Sequence, residues 1–167
     1  MKDLYKAVSD LYTEAARHDL CPSDELCVSL IDRESENALF CASGFADPIP
    51  LDKSERIGRI HRRIIAESGS ISCVLSMHAG YAHGFAMLGR PITVDSRRNG
   101  GFFTEAIPCA GSEEELIAIT NGGTKAALLS GVGAFVCTAD PSASAETALA
   151  LEYVAKIEKI TSKLRGI

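Results

Sequence analysis

The chain has 167 residues with a formal net charge of −5, 46% hydrophobic and 23% charged residues. That length supports one domain, 1–167, with a sizeable core and leaves no room for two comfortable ones. The acidic balance disfavours nucleic acid as the main partner, because phosphate binding draws on clustered Lys and Arg. No apolar stretch approaches a membrane span, so no membrane role is expected.

Leu4, Val8, Leu11 and Ala15 recur at helical spacing and predict a helix over roughly the first seventeen residues. This N-terminus has no signal-peptide core. "ELCVSLI" and "ALFCAS", separated by the polar "DRESEN", read as a hairpin that the Pro-rich "ADPIPLD" ends. Asp52 followed by Glu55 resembles a capping box, and Ile57, Ile60 and Ile64 give the next helix its buried stripe. The basic cluster "RIGRIHRRI" in this helix reads as a solvated face. "SISCVLS" is a continuous apolar strand, buried on both faces.

A short helix is expected from Gly80 to Leu88, closed by Gly89 with Pro91 beyond. After a flexible loop at Arg97 to Gly101, "TEAIPC" reads as a short strand, and Ser112 with Glu115 forms a second capping box. "KAALLSGVGAFVCTAD" reads as strand, turn and strand. The last helix starts near Pro141 or Ser142, with Leu149, Tyr153, Ile157, Ile160 and Leu164 as its apolar stripe. Six scattered cysteines without a C-x-x-C, several in apolar runs, point to free thiols in a reducing cytoplasm rather than to disulfides or a zinc finger.

The chemistry gathers near His78, just past a buried strand, where a rigid strand end meets a loop. Only four histidines exist: His18, His61, His78 and His83. His83 follows His78 by five residues, about 140° around a helix, so the two share an ion only if the intervening segment is not helical. His61 sits mid-stripe, where packing is the expected role, and His18 ends the first helix, where it complements the dipole. Residue chemistry alone establishes no metal site.

Taken in order, four segments resemble the class II aldolase/adducin family: "LDKSERIGRIHRRII", "VLSMHAGYAHGFAMLGRPI", "IPCAGSEEELIAI" and "GGTKAALLSGVGAFVCTADPSASAETALALEYVAKIEKI". The resemblance runs over roughly residues 50 to 160. It implies a three-layer α/β/α sandwich with a central, mostly antiparallel sheet. It also implies a homotetramer with active sites between subunits, and a divalent metal, zinc, held by three histidines. On this chain His78 matches the second ligand, while Ser76 and Gly131 stand at the first and third. Glu55 matches the family's catalytic acid/base, Ser54 a phosphate-contacting serine, and Ser43-Gly44 part of the phosphate loop. The family's Gly-Asn-x-Ser segment is replaced by "PSDELCVSLI", and no tyrosine lies between Pro91 and Pro108 to match a catalytic one.

Three readings follow. One is a carbon–carbon lyase or isomerase using metal. The second is a proton-transfer enzyme without that metal, acting on a small anionic molecule such as a sugar phosphate, with Glu55 as base, Ser54 and Ser43 on the anion, and Arg97 and Arg98 as cationic stabilisers. The third is a non-catalytic, adducin-like ligand-sensing or assembly protein. A proton-transfer enzyme places Glu55 in a cleft; a scaffold leaves it exposed as a helix cap.

Overall fold

The computed structural model describes residues 2–17, 26–42, 47–94, 102–164 and 166. Helix α1 (Lys2–Arg17) buries Val8, Leu11 and Ala15, as their spacing requires. The hairpin follows as β1 (Leu26–Asp32) and β2 (Asn37–Ala42), with the short β3 (Ile49–Pro50) beside it. Then come α2 (Arg56–Glu67), β4 (Cys73–Met77) and α3 (Gly80–Met87). The remainder is β5 (Cys109–Ala110), α4 (Glu113–Asn121), β6 (Ala126–Leu129), β7 (Gly133–Thr138) and α5 (Ser142–Leu164).

The strands form one sheet in the order β3-β2-β1-β4-β7-β6-β5. Every pairing is antiparallel except β5 with β6. Side chains alternate across it, so β4 sends Cys73, Leu75 and Met77 to one face and Val74 to the other. The first face packs on α1, α3 and α5, and the second on α2 and α4. This is the expected three-layer sandwich. β4 is central and fully buried, as its unbroken apolar run predicts.

Three local expectations are corrected. Asp52 lies in a 3₁₀ turn (Leu51–Lys53), and α2 begins after extended residues Ser54 and Glu55, so no Asp52–Glu55 capping box forms. The strand expected over "TEAIPC" is reduced to Cys109–Ala110 and one bridge between Ile92 and Ile107, because Pro108 between them has no N–H to donate. In α5 the buried face is Ser144, Ala145, Thr147, Ala148, Leu151, Val154 and Ala155, not the expected stripe; Tyr153, Ile160 and Leu164 are exposed. Small side chains let α5 pack closely on the sheet, a gain the larger residues on its other face cannot give.

The second capping expectation holds in part. Ser112 Oγ caps α4 by accepting from Glu115 N at 3.2 Å, although the Glu115 carboxylate returns to Gly111 N rather than to the cap itself. Among the described residues Cys27, Cys41, Cys73, Cys109 and Cys137 lie outside any disulfide, and burial pushes the Cys73 thiol up to about 11. Among the described residues no helix is long and apolar enough to cross a membrane.

Candidate functional site

Helix α2 is amphipathic. Its arginines face out, with Arg63 reaching Glu113 and Glu114 of α4 at 3.3 and 3.1 Å, so the basic cluster is the solvated face that the sequence suggests. Its inner face carries Ile60, His61, Ile64 and Ile65. A short loop joins α2 to β4, and Arg33 fastens it by donating to the carbonyls of Ile65, Ser68 and Ile71. That connection brings the start of α2 and the end of β4 to the same end of the sheet. β2 ends there too, since Ala42 and Ser76 both pair with Cys27.

Ser29 on β1, Ser76 on β4 and His61 on α2 are fully buried between the sheet and α2. Ser29 Oγ lies 2.7 Å from His61 Nδ1, and His61 Nε2 lies 2.9 Å from Ser76 Oγ. Ser76 Oγ also lies 3.0 Å from His78 Nε2, while His78 Nδ1 lies 3.0 Å from the Val132 carbonyl. Four side chains thus form one hydrogen-bonded row through an apolar layer. Phe40 and Phe135 flank the His61 ring edge-on, with centroids 5.8 and 5.9 Å away. Burial first, and the nearby His78 second, push His61 down to about 3.

Past His78 the chain turns through Gly80 at φ +85°. A Cβ there would stand 2.7 Å from a Glu152 carboxylate oxygen. Glu152 of α5 accepts from Tyr81 N and from Ala82 N, the latter at 2.9 Å, and so fills the N-terminus of α3. Burial raises its carboxyl pKa, and the two backbone donors oppose that rise. The sequence reading missed Glu152; its signal was one carboxylate on the inward turn of an otherwise alanine-rich helix face.

The remaining expected residues are dispersed. Ser54 is half-buried and donates its hydroxyl to the Leu51 carbonyl. Glu55 is exposed at the N-cap of α2, yet its side chain makes no capping hydrogen bond. It is neither the cleft carboxylate nor the cap that the two readings required, and it joins none of the bonds around His78. Gly131 lies in the β6–β7 turn, and Val132 is the residue that faces His78. α3 is helical from Gly80, so His78 and His83 do not meet the condition for sharing an ion. His83 Nδ1 is buried without a hydrogen-bond partner among the described residues. Ser43, Gly44, Arg97, Arg98 and His18 lie outside the described residues.

The resemblance implies a divalent metal, and the donors among the described residues do not fit one. Ser76 offers a neutral hydroxyl, Gly131 has no side chain, and both His78 nitrogens are committed to hydrogen bonds.

Residues 34–158 match the family model described as class II aldolase and adducin N-terminal domain. The chain belongs to the class II aldolase and adducin family. A comparison with curated protein sequences finds no match. Solved structures share the family fold. An L-fuculose 1-phosphate aldolase aligns with a TM-score of 0.80 at 19% identity, over 98% of this chain and 88% of its own. The L-fuculose-1-phosphate aldolase of Thermus thermophilus gives 0.75 at 16%, over 99% and 98%. YgbL of Escherichia coli gives 0.72 at 15%, over 95% and 89%.

Proposed function

We propose that this family member is a proton-transfer enzyme acting on a small anionic molecule of the sugar-phosphate kind, without a metal at the histidine position. Glu55 serves as the acid/base, and Ser54, Ser43 and Gly44 contact the anion. The observation that carries this reading is the exposed Glu55 carboxylate, without a capping hydrogen bond among the described residues, at the end of the sheet where β4 delivers His78; the cleft the reading requires is then one formed between subunits, as the resemblance implies. A helix cap would have consumed that carboxylate. Two of the solved structures that the chain resembles are named as aldolases, which favours an enzyme over an assembly protein.

Two coarser inferences accompany it. The exposed apolar residues of α3 and α5 support self-association, with the homotetramer as the expected state. The free thiols fit a reducing cytoplasm.

The test is a panel of sugar phosphates screened by thermal unfolding, followed by hydrogen–deuterium exchange at the carbon beside the ligand's carbonyl. At least one member should stabilise the protein and exchange its proton. Glu55→Gln should keep binding and lose exchange by about 10²–10⁴-fold. Binding to none of the panel, or exchange unaffected by Glu55→Gln, overturns the reading.

A further inference from the structure

Helices α3 and α5 wall an open cavity of about 550 Å³, a size that holds a small organic molecule. Tyr81, Phe85 and Leu88 supply its apolar side at helical spacing, and the exposed Arg90, Lys159 and Lys163 line it with positive charge. Ser162 adds a hydroxyl that is already donated to Glu158 at 3.2 Å. Among the described residues no carboxylate forms an ion pair with Arg90, Lys159 or Lys163. Glu152, at the start of α3, spends its carboxylate on the Tyr81 and Ala82 amides.

Gly84 lies on the same wall, in the interior of α3. A glycine inside a helix costs stability relative to alanine, and the usual compensation is a close approach that a side chain would block. Nothing in the described chain makes that approach, since a Cβ on Gly84 would meet no atom within 4 Å. The bare backbone faces open space beside unpaired cations.

We propose that this cavity binds a small organic anion with an aromatic or acyl body. The body lies on Tyr81, Phe85, Leu88 and the backbone of Gly84, while Arg90, Lys159 and Lys163 meet the charge. The site goes beyond the proton-transfer reading and uses neither Glu55 nor His78.

Two other occupants fit less well. A sugar phosphate would satisfy the cations but set its hydroxyls against apolar side chains, losing water without gaining partners. A second copy of the chain, docked symmetrically here, would bring the cations of one copy against the same cations of the other. The exposed Tyr153, Ile160 and Leu164 lie roughly a quarter turn around α5 from Lys159 and Lys163, so self-association through them does not require the cavity.

The probe is anilinonaphthalene sulfonate, whose fluorescence rises on entering an apolar site. Its control is phenylnaphthylamine, the same rings without the sulfonate. Both are titrated into the full chain, with circular dichroism and light scattering recorded on the same samples. The sulfonate should saturate at one per chain and bind about tenfold more tightly than the uncharged probe. Gly84→Leu, which projects a side chain into the open space, should abolish binding of both without loss of thermal stability, because leucine is the better helix former. Lys159→Gln combined with Lys163→Gln should leave the uncharged probe's affinity unchanged and narrow the gap to about threefold. Both lysines are exposed, so this second variant tests the site even if Gly84→Leu does not fold. No saturable binding, binding unchanged by Gly84→Leu, or equal affinity for the two probes overturns the proposal. So does probe binding that falls as the chain self-associates, because a second copy would then fill the cavity. Each of these outcomes leaves the Glu55 chemistry to stand or fall on its own exchange assay.

Discussion

At full burial between Ser29 and Ser76 the His61 ring stays neutral down to about pH 3, whereas in the unfolded chain it protonates near 6.5. Below 6.5 the unfolded state therefore binds a proton that the folded state refuses. Stability falls as the pH drops, by up to about 1.4 kcal/mol per pH unit, and the loss levels off near the folded value; above 6.5 the group contributes nothing to the pH dependence. Urea unfolding at a series of pH values should show a midpoint that declines between pH 6.5 and 5, and a shallower decline in His61→Gln. Equal slopes for the two proteins would remove His61 from the account. The sequence showed His61 as a residue on a buried stripe, and that much was right. Its partners were out of sight, because Ser29 and Ser76 lie 32 and 15 residues away and meet it only once two strands are set side by side. Local periodicity reports which face is buried, not which polar groups a buried face will find.

The start of α2 shows how one element is fitted to its neighbours. Gly58 lies one turn into the helix, and a Cβ there would fall 1.9 Å from Ser54 Oγ and 2.2 Å from Ser54 Cβ. Glycine costs helix propensity, so its presence mid-helix signals a close approach. Gly58→Ala must push the 54–55 segment away from the helix and break the Ser54 hydroxyl bond to Leu51. The expected result is about 1–3 kcal/mol of destabilisation in chemical unfolding, despite the better helix former. A gain in stability would show that the segment moves freely. The same element explains why the capping box was misread: Asp52 and Glu55 have the right spacing, but the 3₁₀ turn after Pro50 consumes Asp52 before the helix begins. In α5 the misreading has another origin. The helix is apolar on two faces, and hydrophobicity alone favours the one with the larger side chains, although alanines give the closer packing.

At the scale of the whole molecule, the order of helices and strands and the mainly antiparallel sheet were legible, because each segment carries its own period and stop signal. The face of α5 left outside that fold is where the whole chain makes its prediction. Tyr153, Ile160 and Leu164 are 53%, 46% and 82% exposed, and Leu88 of α3 is 70% exposed. The α5 residues run along roughly 16 Å of helix, by the rise per residue. The Lys156 and Lys159 ammonium groups lie over Tyr81 of α3, within 5.8 and 5.2 Å of its ring centre, so cations border this apolar surface. Single exposed apolar residues are ordinary, but several aligned on one helix beside an aromatic ring are the pattern of a contact surface. Light scattering should therefore find the protein as a multiple of its 17.8 kDa chain. Ile160→Glu combined with Leu164→Glu should shift it toward the single-chain mass without changing its circular dichroism, because neither side chain belongs to the core. Thermal unfolding of the parent should rise with protein concentration, and that of the double variant should not. A parent protein that remains at 17.8 kDa at every concentration would show that this face is simply solvated.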